Sequence, residues 1–255
     1  MVRASSIVFM SISLFLSLVL PVAAAVVLHR NLRFIWRSVL TGALVFLVFQ
    51  ILTRIPFLQY MKSISSYRTF YARHPILTSF LIVLSAGLFE ELGRYAGFSV
   101  LLKRHVDWKN GIGYGIGHGG LESLLVSTTF LNDLVYSFLI NAGKASLQLS
   151  QSVVSVLVNT TPSLFVVGGI ERVMAFVIQI GLSLIVLYGI RSRRSLFLLL
   201  AIALHTLVDY AAVMFAGNAL LEEIYTAVFA VASIVWILMS RKLFEQREVA
   251  SAGRV

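Results

Sequence analysis

Residues 89–94, Phe-Glu-Glu-Leu-Gly-Arg, place two carboxylates and a guanidinium inside an apolar segment at 76–102. An ionisable residue at the centre of a membrane helix costs at least ~2.5 kcal/mol, so three together need partners, a water-filled cavity or a function. Glu90 and Arg94 are four residues apart and share a helix face, whereas Glu91 points elsewhere. One carboxylate can pair with Arg94 while the other accepts a proton from water as a general base. A structural ion pair is the alternative.

Two histidines in apolar segments each precede an acid by four residues, His118 before Glu122 and His205 before Asp209. This spacing suits an acid that fixes the tautomer of the imidazole, although a lone histidine in an apolar helix is more often a hydrogen-bonded core residue. At 1.5 Å per residue, the predicted depths of the two histidines differ by only ~5 Å. We therefore expect both imidazoles and Glu90 to face one cavity.

A glycine-rich stretch surrounds the first of these histidines. Residues 115–120 match the dinucleotide-binding fingerprint, but no strand precedes them, so we reject a nucleotide site. Gly111, Gly115 and Gly119 recur every four residues, a spacing that lets another helix approach closely in a membrane. Close packing of this helix would bring His118 against the glutamate helix.

The composition identifies the class of protein. The chain has 255 residues, of which 58% are hydrophobic and only 13% are charged, as in a multi-pass membrane protein. The net charge of +10 comes from short clusters between apolar runs, which favours contact with anionic lipid headgroups over nucleic acid. With no cysteine, the chain has no disulfide, thiol nucleophile or thiolate metal site. Any chemistry must use carboxylates, histidines or hydroxyls.

The apolar runs predict an all-α, multi-pass transmembrane helix bundle of about seven or eight spans, forming a single integral membrane domain over residues 1–255. The predicted spans lie near 7–28, 39–52, 76–102, 111–130, 163–190, 196–216 and 224–240. Residues 54–74 form a polar, interfacial connection. Residues 131–162 are too polar for a span, and we expect an outer amphipathic or re-entrant element there. A hairpin of two further passes is the alternative.

Basic residues predict the orientation in the cell membrane. They cluster at 30–37, 103–109, 191–194 and 241–247, and the positive-inside tendency places all four clusters in the cytoplasm. The amino terminus is then outside and the carboxyl terminus is cytoplasmic. The basic residues of the 54–74 connection, which this topology places outside, oppose it.

The motifs together resemble a known group of enzymes. Glu-Glu-Leu-Gly-Arg at 90–94, Tyr114 four residues before His118, and His205 four before Asp209 resemble the intramembrane proteases that include the CAAX prenyl endopeptidases and the bacteriocin-processing enzymes. The likeness is closer to the YhfC-type membrane peptidases. Gly-His-Gly-Gly-Leu-Glu and the pair Glu171-Arg172 carry it, and it extends over most of the chain.

This resemblance implies a glutamic-type protease. Glu90 with His118 would activate a water to attack a peptide carbonyl, and His205 with Asp209 would stabilise the oxyanion. Asp209 stands where many relatives have asparagine, and an ionised Asp209 would be a poor oxyanion donor, so it acts protonated or only orients His205. Two residues separate Arg94 from the glutamate pair, where the broader pattern has three. The implied catalytic set is Glu90, Glu91, Arg94, His118, Glu122, His205, Asp209 and Glu171, with Glu91 and Arg94 orienting the reacting groups.

A metal-dependent version uses the same residues. The sequence has no His-Glu-x-x-His, Gly-x-Ser-x-Gly or Gly-x-Gly-Asp motif. It therefore lacks the motifs of the zincin, rhomboid-like serine and presenilin-like aspartyl proteases. We expect no cofactor. Glu90, His118 and His205 would nevertheless make a reasonable open zinc site, which is the alternative.

The predicted function is hydrolysis of a peptide bond in a membrane-associated protein or peptide, with the bilayer as the other partner. A proton-coupled transporter could use the same buried acids and histidines, but it would be expected to show internal repeats, and none is visible. A non-catalytic membrane scaffold or immunity protein could keep the cluster as structural glue. Glu90→Gln and His118→Ala variants that fold and retain function would favour the scaffold.

Overall fold

A computed structural model describes residues 1–144 and 149–252, with side chains as far as residue 246. Residues 145–148 of the predicted outer element and the side chain of Arg247 in the last basic cluster lie outside the described residues. Within these ranges every regular element is a helix. The helices are α1 (Ala4–Leu32), α2 (Trp36–Phe46), α3 (Ile55–Ser63), α4 (Ser65–Arg73), α5 (Pro75–Ala96), α6 (Trp108–Asn141), α7 (Gln151–Asn159), α8 (Pro162–Ser192), α9 (Leu196–Met214) and α10 (Ala219–Ala252).

Two stretches of π-helix extend the helices of the bundle. Leu47–Arg54 joins α2 to α3, and Gly97–Leu101 follows α5. Each π-helical stretch therefore continues a helix that is predicted to cross the membrane.

Seven helical segments within the described ranges are long and apolar enough to cross a membrane. They confirm the predicted all-α, multi-pass bundle. The segments are Ala4–Leu32, Trp36–Ser63, Pro75–Leu101, Trp108–Asn141, Pro162–Ser192, Leu196–Met214 and Ala219–Gln246.

The segment at 131–162 begins inside a helix. The sequence predicts that the fourth span ends near Phe130, but α6 continues to Asn141, where the side chain accepts a hydrogen bond from the Val2 N–H at 2.7 Å. This contact ties the end of α6 to the start of α1. The nine-residue α7 is too short to cross a bilayer, which needs about 20 residues. The position of this segment relative to the membrane stays a prediction.

Helix α6 packs closely against α2 and α8, and its glycines permit the approach. A Cβ built on Gly115 would lie 2.6 Å from Ile180 Cα on α8, and one on Gly117 would collide with the Val39 carbonyl oxygen on α2. The glycine spacing therefore indicates a close helix contact correctly. The partners of these two glycines are α2 and α8 rather than the glutamate helix α5, although His118 on the same helix does reach α5.

Contacts between the basic clusters bring them to one end of the bundle. Arg37 Nη2 donates to the Leu101 carbonyl at 3.0 Å, and Arg191 Nη1 donates to the Val106 carbonyl at 3.2 Å. The Arg191 guanidinium also lies 5.6 Å from the centre of the Phe244 ring on α10. A single positively charged end is what the positive-inside tendency requires of a cytoplasmic face. The orientation itself stays a prediction.

Candidate active site

Helix α5 carries three buried charged residues near its carboxyl-terminal end. Glu90 is 4% exposed, and Glu91 and Arg94 are fully buried. Arg94 Nε lies 3.1 Å from Glu91 Oε2, so Glu91 is the carboxylate that pairs with Arg94, and the pair joins residues three apart. Spacings of three and four both make neighbours on a helix. Glu90 is thereby left for a partner on another helix.

That partner is His118 on α6. Its Nε2 lies 3.0 Å from Glu90 Oε2 and 3.3 Å from Arg94 Nη2, while Nδ1 is buried without a hydrogen-bond partner among the described residues. The ring also packs edge-on against Phe46 and beside Tyr114, the aromatic residue four positions before it. Apolar and aromatic packing thus holds the imidazole against the carboxylate.

His205 on α9 joins the same cluster from the other side of α5. Its Nδ1 lies 2.7 Å from Glu91 Oε1, and its Nε2 lies 3.7 Å from Glu90 Oε2 and 3.6 Å from Asp209 Oδ2. Carboxylates therefore face both ring nitrogens, an arrangement that suits an imidazolium, in which both nitrogens are donors. The structure brings Glu90, His118 and His205 together, as the sequence predicts.

Two residues of α8 that the sequence analysis missed complete the cluster. Arg94 Nη1 donates to Ser183 Oγ at 2.6 Å and to the Gln179 carbonyl at 2.7 Å, and Arg94 Nη2 donates to Gln179 Oε1 at 2.6 Å. A guanidinium has no acceptor, so the Gln179 side chain must present its oxygen to Arg94. Its NH₂ group then faces the carboxylates of Glu90 and Glu122.

Gln179 connects Glu90 to a second acid. Its Nε2 lies 3.4 Å from Glu90 Oε2 and 2.9 Å from Glu122 Oε2. Glu122 also accepts from Arg172 Nη1 at 3.3 Å, and Arg172 in turn contacts Glu171. The predicted pairing of Glu122 with His118 is therefore wrong in this structure. Glu122 contacts α8 instead, whereas His205 does lie beside Asp209 and Arg172 contacts Glu171, as the sequence indicates.

A cavity of about 350 Å³ lies beside this cluster. Polar side chains from five helical segments line it, and they are Gln50, Arg54, Glu122, Glu171, Arg172, Gln179, His205, Asp209, Glu222 and Thr226. The expectation that Glu90 and both histidines face one cavity is therefore wrong in part: His205 lines the cavity, whereas Glu90 and His118 are not among the lining residues. They lie directly behind Gln179 and His205, which contact Glu90 from the cavity wall. The candidate site is therefore a polar cavity with a buried carboxylate and imidazole at its back.

The cavity extends towards the end of the bundle that lacks the four basic clusters. Arg54 closes the π-helical stretch, Asp209 lies in the second half of α9, and Glu222 lies in the first turn of α10. The basic clusters occupy the start of α9 and the end of α10, so they lie at the opposite end.

The site is a carboxylate and imidazole cluster buried in a membrane helix bundle. The family model described as "YhfC intramembrane metalloprotease" matches residues 16–234. The "Uncharacterized membrane protein YhfC" of Bacillus subtilis (strain 168) is 34% identical over 258 residues, which cover 96% of this chain and 100% of that protein. No solved structure matches the chain significantly.

The chain belongs to the YhfC family. The resemblance predicted from Glu-Glu-Leu-Gly-Arg, the glycine-histidine motif and Glu171-Arg172 is thereby confirmed. The more distant likeness to the CAAX prenyl endopeptidases stays a prediction.

The family description implies a metal, and the structure allows a test of whether the side chains fit one. The candidate donors are Glu90 Oε2 and the Nε2 atoms of His118 and His205. In residues 1–144 and 149–246, no group of three or more His, Asp or Glu side chains is placed to hold a metal ion. Glu90 Oε2 and His118 Nε2 are instead paired with each other at 3.0 Å, and Arg94 Nη2 lies 3.3 Å from the same nitrogen. A cation beside the ring nitrogen opposes a second cation, so Glu90, His118 and His205 would hold a metal ion only with Arg94 farther from His118.

Proposed function

We propose that this chain is an intramembrane endopeptidase in which Glu90, supported by His118, activates a water to hydrolyse a peptide bond of a membrane-associated protein or peptide. The family description as an intramembrane protease supports the reaction class. The arrangement around Glu90 supports the choice of base.

One observation carries the proposal: Glu90 is held through a single oxygen. Oε2 is fixed by His118 Nε2 at 3.0 Å and by Gln179 Nε2 at 3.4 Å, whereas Oε1 makes no hydrogen bond within the described part of the chain. A general base needs a free lone pair within hydrogen-bond reach of its water. Oε1 is the atom that can supply it.

The reaction is then an addition followed by an elimination. A water donates a proton to Glu90 Oε1, and its oxygen forms a bond with the carbonyl carbon of the substrate. When the C–N bond breaks, Glu90 returns the proton to the leaving amine, so the carboxylate is regenerated. Positioned proton transfer of this kind contributes about 10²- to 10⁴-fold in rate.

His205 supplies the complementary charge. Glu91 Oε1 holds its Nδ1 at 2.7 Å, and this contact directs Nε2 towards Glu90 and Asp209 at the cavity wall. In the imidazolium form Nε2–H can donate to the oxyanion that develops on the carbonyl. Asp209, 40% exposed, then orients His205 rather than donating to the oxyanion itself.

The test compares membranes that contain the wild type with those that contain Glu90→Gln. Mass spectrometry of protein amino termini should find new termini in the wild type that Glu90→Gln lacks, with cleavage reduced by about 10²- to 10⁴-fold. Glu245→Gln is the matched control, since Glu245 is 58% exposed and pairs with Arg241 near the end of α10. A folded Glu90→Gln protein with undiminished cleavage would contradict the proposal. Retained cellular function in folded Glu90→Gln and His118→Ala would favour the scaffold.

A metal-dependent protease is the second candidate, and the family description is the observation that favours it. Zinc could polarise the carbonyl and lower the pKa of a bound water. Its ligands would be Glu90, His118 and His205, after Arg94 had moved away from His118. Metal analysis of purified protein, together with cleavage before and after chelation, separates the two versions. Activity that a chelator abolishes and zinc restores would replace the metal-free mechanism.

A further inference from the structure

Arg54 is a buried cation on the wall of the candidate cavity. The residue is 8% exposed, and its three hydrogen bonds all go to neutral acceptors. Nε donates to Ser85 Oγ at 2.9 Å, Nη1 to Gln50 Oε1 at 3.2 Å and Nη2 to the Ile82 carbonyl at 2.8 Å. A guanidinium carries five N–H donors, so two remain for another partner.

The other cations of the site are already paired with carboxylates. Arg172 contacts Glu122 and Glu171, and Arg94 contacts Glu91. His205 lies close to Glu90, Glu91 and Asp209, as described above. No carboxylate in the described ranges lies within ion-pair distance of Arg54. Glu90 and Asp209 act on Arg54 only through longer-range Coulombic attraction, so this buried guanidinium faces the cavity with no carboxylate in direct contact.

The backbone that presents Arg54 is also unusual. Arg54 is the last residue of the π-helical stretch Leu47–Arg54, and Gln50 in the same stretch lines the cavity too. The i→i+5 hydrogen bonds of a π-helix widen the turn, and such turns occur frequently at functional sites. Here the widened turn directs both side chains of one helix into the cavity, against the apolar trend of residues 39–52.

We propose that Arg54 binds a carboxylate of the substrate, either its carboxyl terminus or an aspartate or glutamate side chain close to the bond that is cleaved. This inference rests on the proposed function, because it names a feature of the substrate for the same cavity. A carboxylate accepts two parallel N–H bonds from a guanidinium, which matches the two donors that Arg54 has left. Four acidic residues of the cavity lining repel a substrate carboxylate, so its binding depends on Arg54; they are Glu122, Glu171, Asp209 and Glu222.

The residues around Arg54 determine which peptide is suitable for testing this site. Ser85 and Ile82, which accept from Arg54, also line an apolar groove of about 590 Å³ between α5 and the α3–α4 pair. Phe57, Leu58 and Leu81 contribute to its walls. Apolar residues next to the carboxylate would enter this groove, so the probe is a short peptide of leucine and alanine.

Binding is measured first, in the full chain carrying Glu90→Gln so that nothing is cleaved. The peptide is offered as its free acid and as its amide, and two further amides carry one internal glutamate or one glutamine. The free acid, or the glutamate amide, should bind about 10- to 100-fold more tightly than its neutral counterpart, the range expected for charge-assisted hydrogen bonds. If the free acid shows the gain in affinity, the carboxylate is the substrate's carboxyl terminus. If the glutamate amide shows it, the carboxylate is a side chain. Equal affinity for charged and neutral peptides, or no binding of either, would overturn the inference.

Variants at Arg54 then assign the preference to this residue. Arg54→Gln should remove it and leave the neutral peptides unaffected, whereas Arg54→Lys should keep part of it. Arg241→Gln is the matched control, because it makes the same change at an exposed position near the end of α10, away from the cavity. If Arg54→Gln does not fold, Arg54→Lys decides: a preference unchanged by this loss of bidentate geometry contradicts the inference.

Cleavage separates this inference from the proposed function. A charged peptide that binds through Arg54 but is never cleaved by the wild type contradicts the protease and leaves the carboxylate site standing. Peptides cleaved equally well with and without a carboxylate, by both wild type and Arg54→Gln, support the protease and overturn the inference.

Discussion

Arg94 donates through Nη2 to Gln179 Oε1 at 2.6 Å, and this contact decides which way the Gln179 amide faces. Because the guanidinium offers only donors, the amide oxygen is committed to it and the NH₂ group is directed at Glu90 and Glu122. A residue of α8 thereby fixes the carboxylate of α5. Arg94 acts on Glu90 through Gln179 as well as by its charge.

Gln179→Leu should lower kcat by about 10- to 100-fold and leave KM within a factor of about three, since it frees the Glu90 carboxylate to rotate and leaves Arg94 one acceptor short. Gln179→Glu is the informative partner variant, because it keeps the acceptor for Arg94 but removes the donor to Glu90. Steady-state kinetics on any peptide that the wild type cleaves measures both constants. Equal kcat values in Gln179→Glu and wild type would show that Gln179 only packs.

The convergence of Glu90, His118 and His205 could be predicted because each is an isolated polar residue in an apolar run at similar depth. The role of Gln179 could not be predicted, since one glutamine in a long apolar helix carries no spacing signal. Its role depends on where the Arg94 side chain lies in the folded bundle. Arg54 was missed for a different reason. It stands where an apolar run meets a polar connection, and only the π-helical turn makes it face inward.

The side-chain pairings were the least predictable part of the site. A spacing of four places two residues on one helix face, and from this rule we expected Glu122 to meet His118. The rule ignores competing partners on neighbouring helices, and Arg172 on α8 provides a full counter-charge for Glu122. An oppositely charged residue on a neighbouring helix therefore determines the pairing of Glu122, although His118 lies four residues away on the same helix.

Arg94→Lys should unfold at a lower temperature than the wild type, with a loss of about 1–3 kcal/mol, the range for leaving buried acceptors without a donor. A lysine ammonium cannot reach Ser183, both oxygens of Gln179 and Glu91 together, because it lacks the planar fork of the guanidinium. Thermal unfolding in detergent measures the loss. Arg241→Lys, at a position 63% exposed, is the matched control and should change the midpoint little.

Gly117→Ala should destabilise the bundle by about 1–3 kcal/mol, the usual effect of overpacking. A methyl group there meets the backbone carbonyl of Val39, which cannot move without shifting α2. Gly120→Ala, three residues further along α6, places its methyl 3.5 Å from Pro21 Cβ in ordinary contact and should be tolerated. Equal unfolding midpoints for the two variants would contradict the close contact between α2 and α6.

The orientation predicted from the basic clusters can be tested with reporters fused to the two termini. A fluorescent protein that matures only in the cytoplasm should be bright at the carboxyl terminus, and a phosphatase active only outside should report at the amino terminus. Since the cavity extends away from the basic clusters, this orientation opens it towards the outer face, near α3 and α4. A cysteine introduced at Leu220, 70% exposed at the start of α10, should then react with a membrane-impermeant maleimide in intact cells. The cysteine-free sequence makes this labelling specific. Labelling only after lysis would show the opposite orientation.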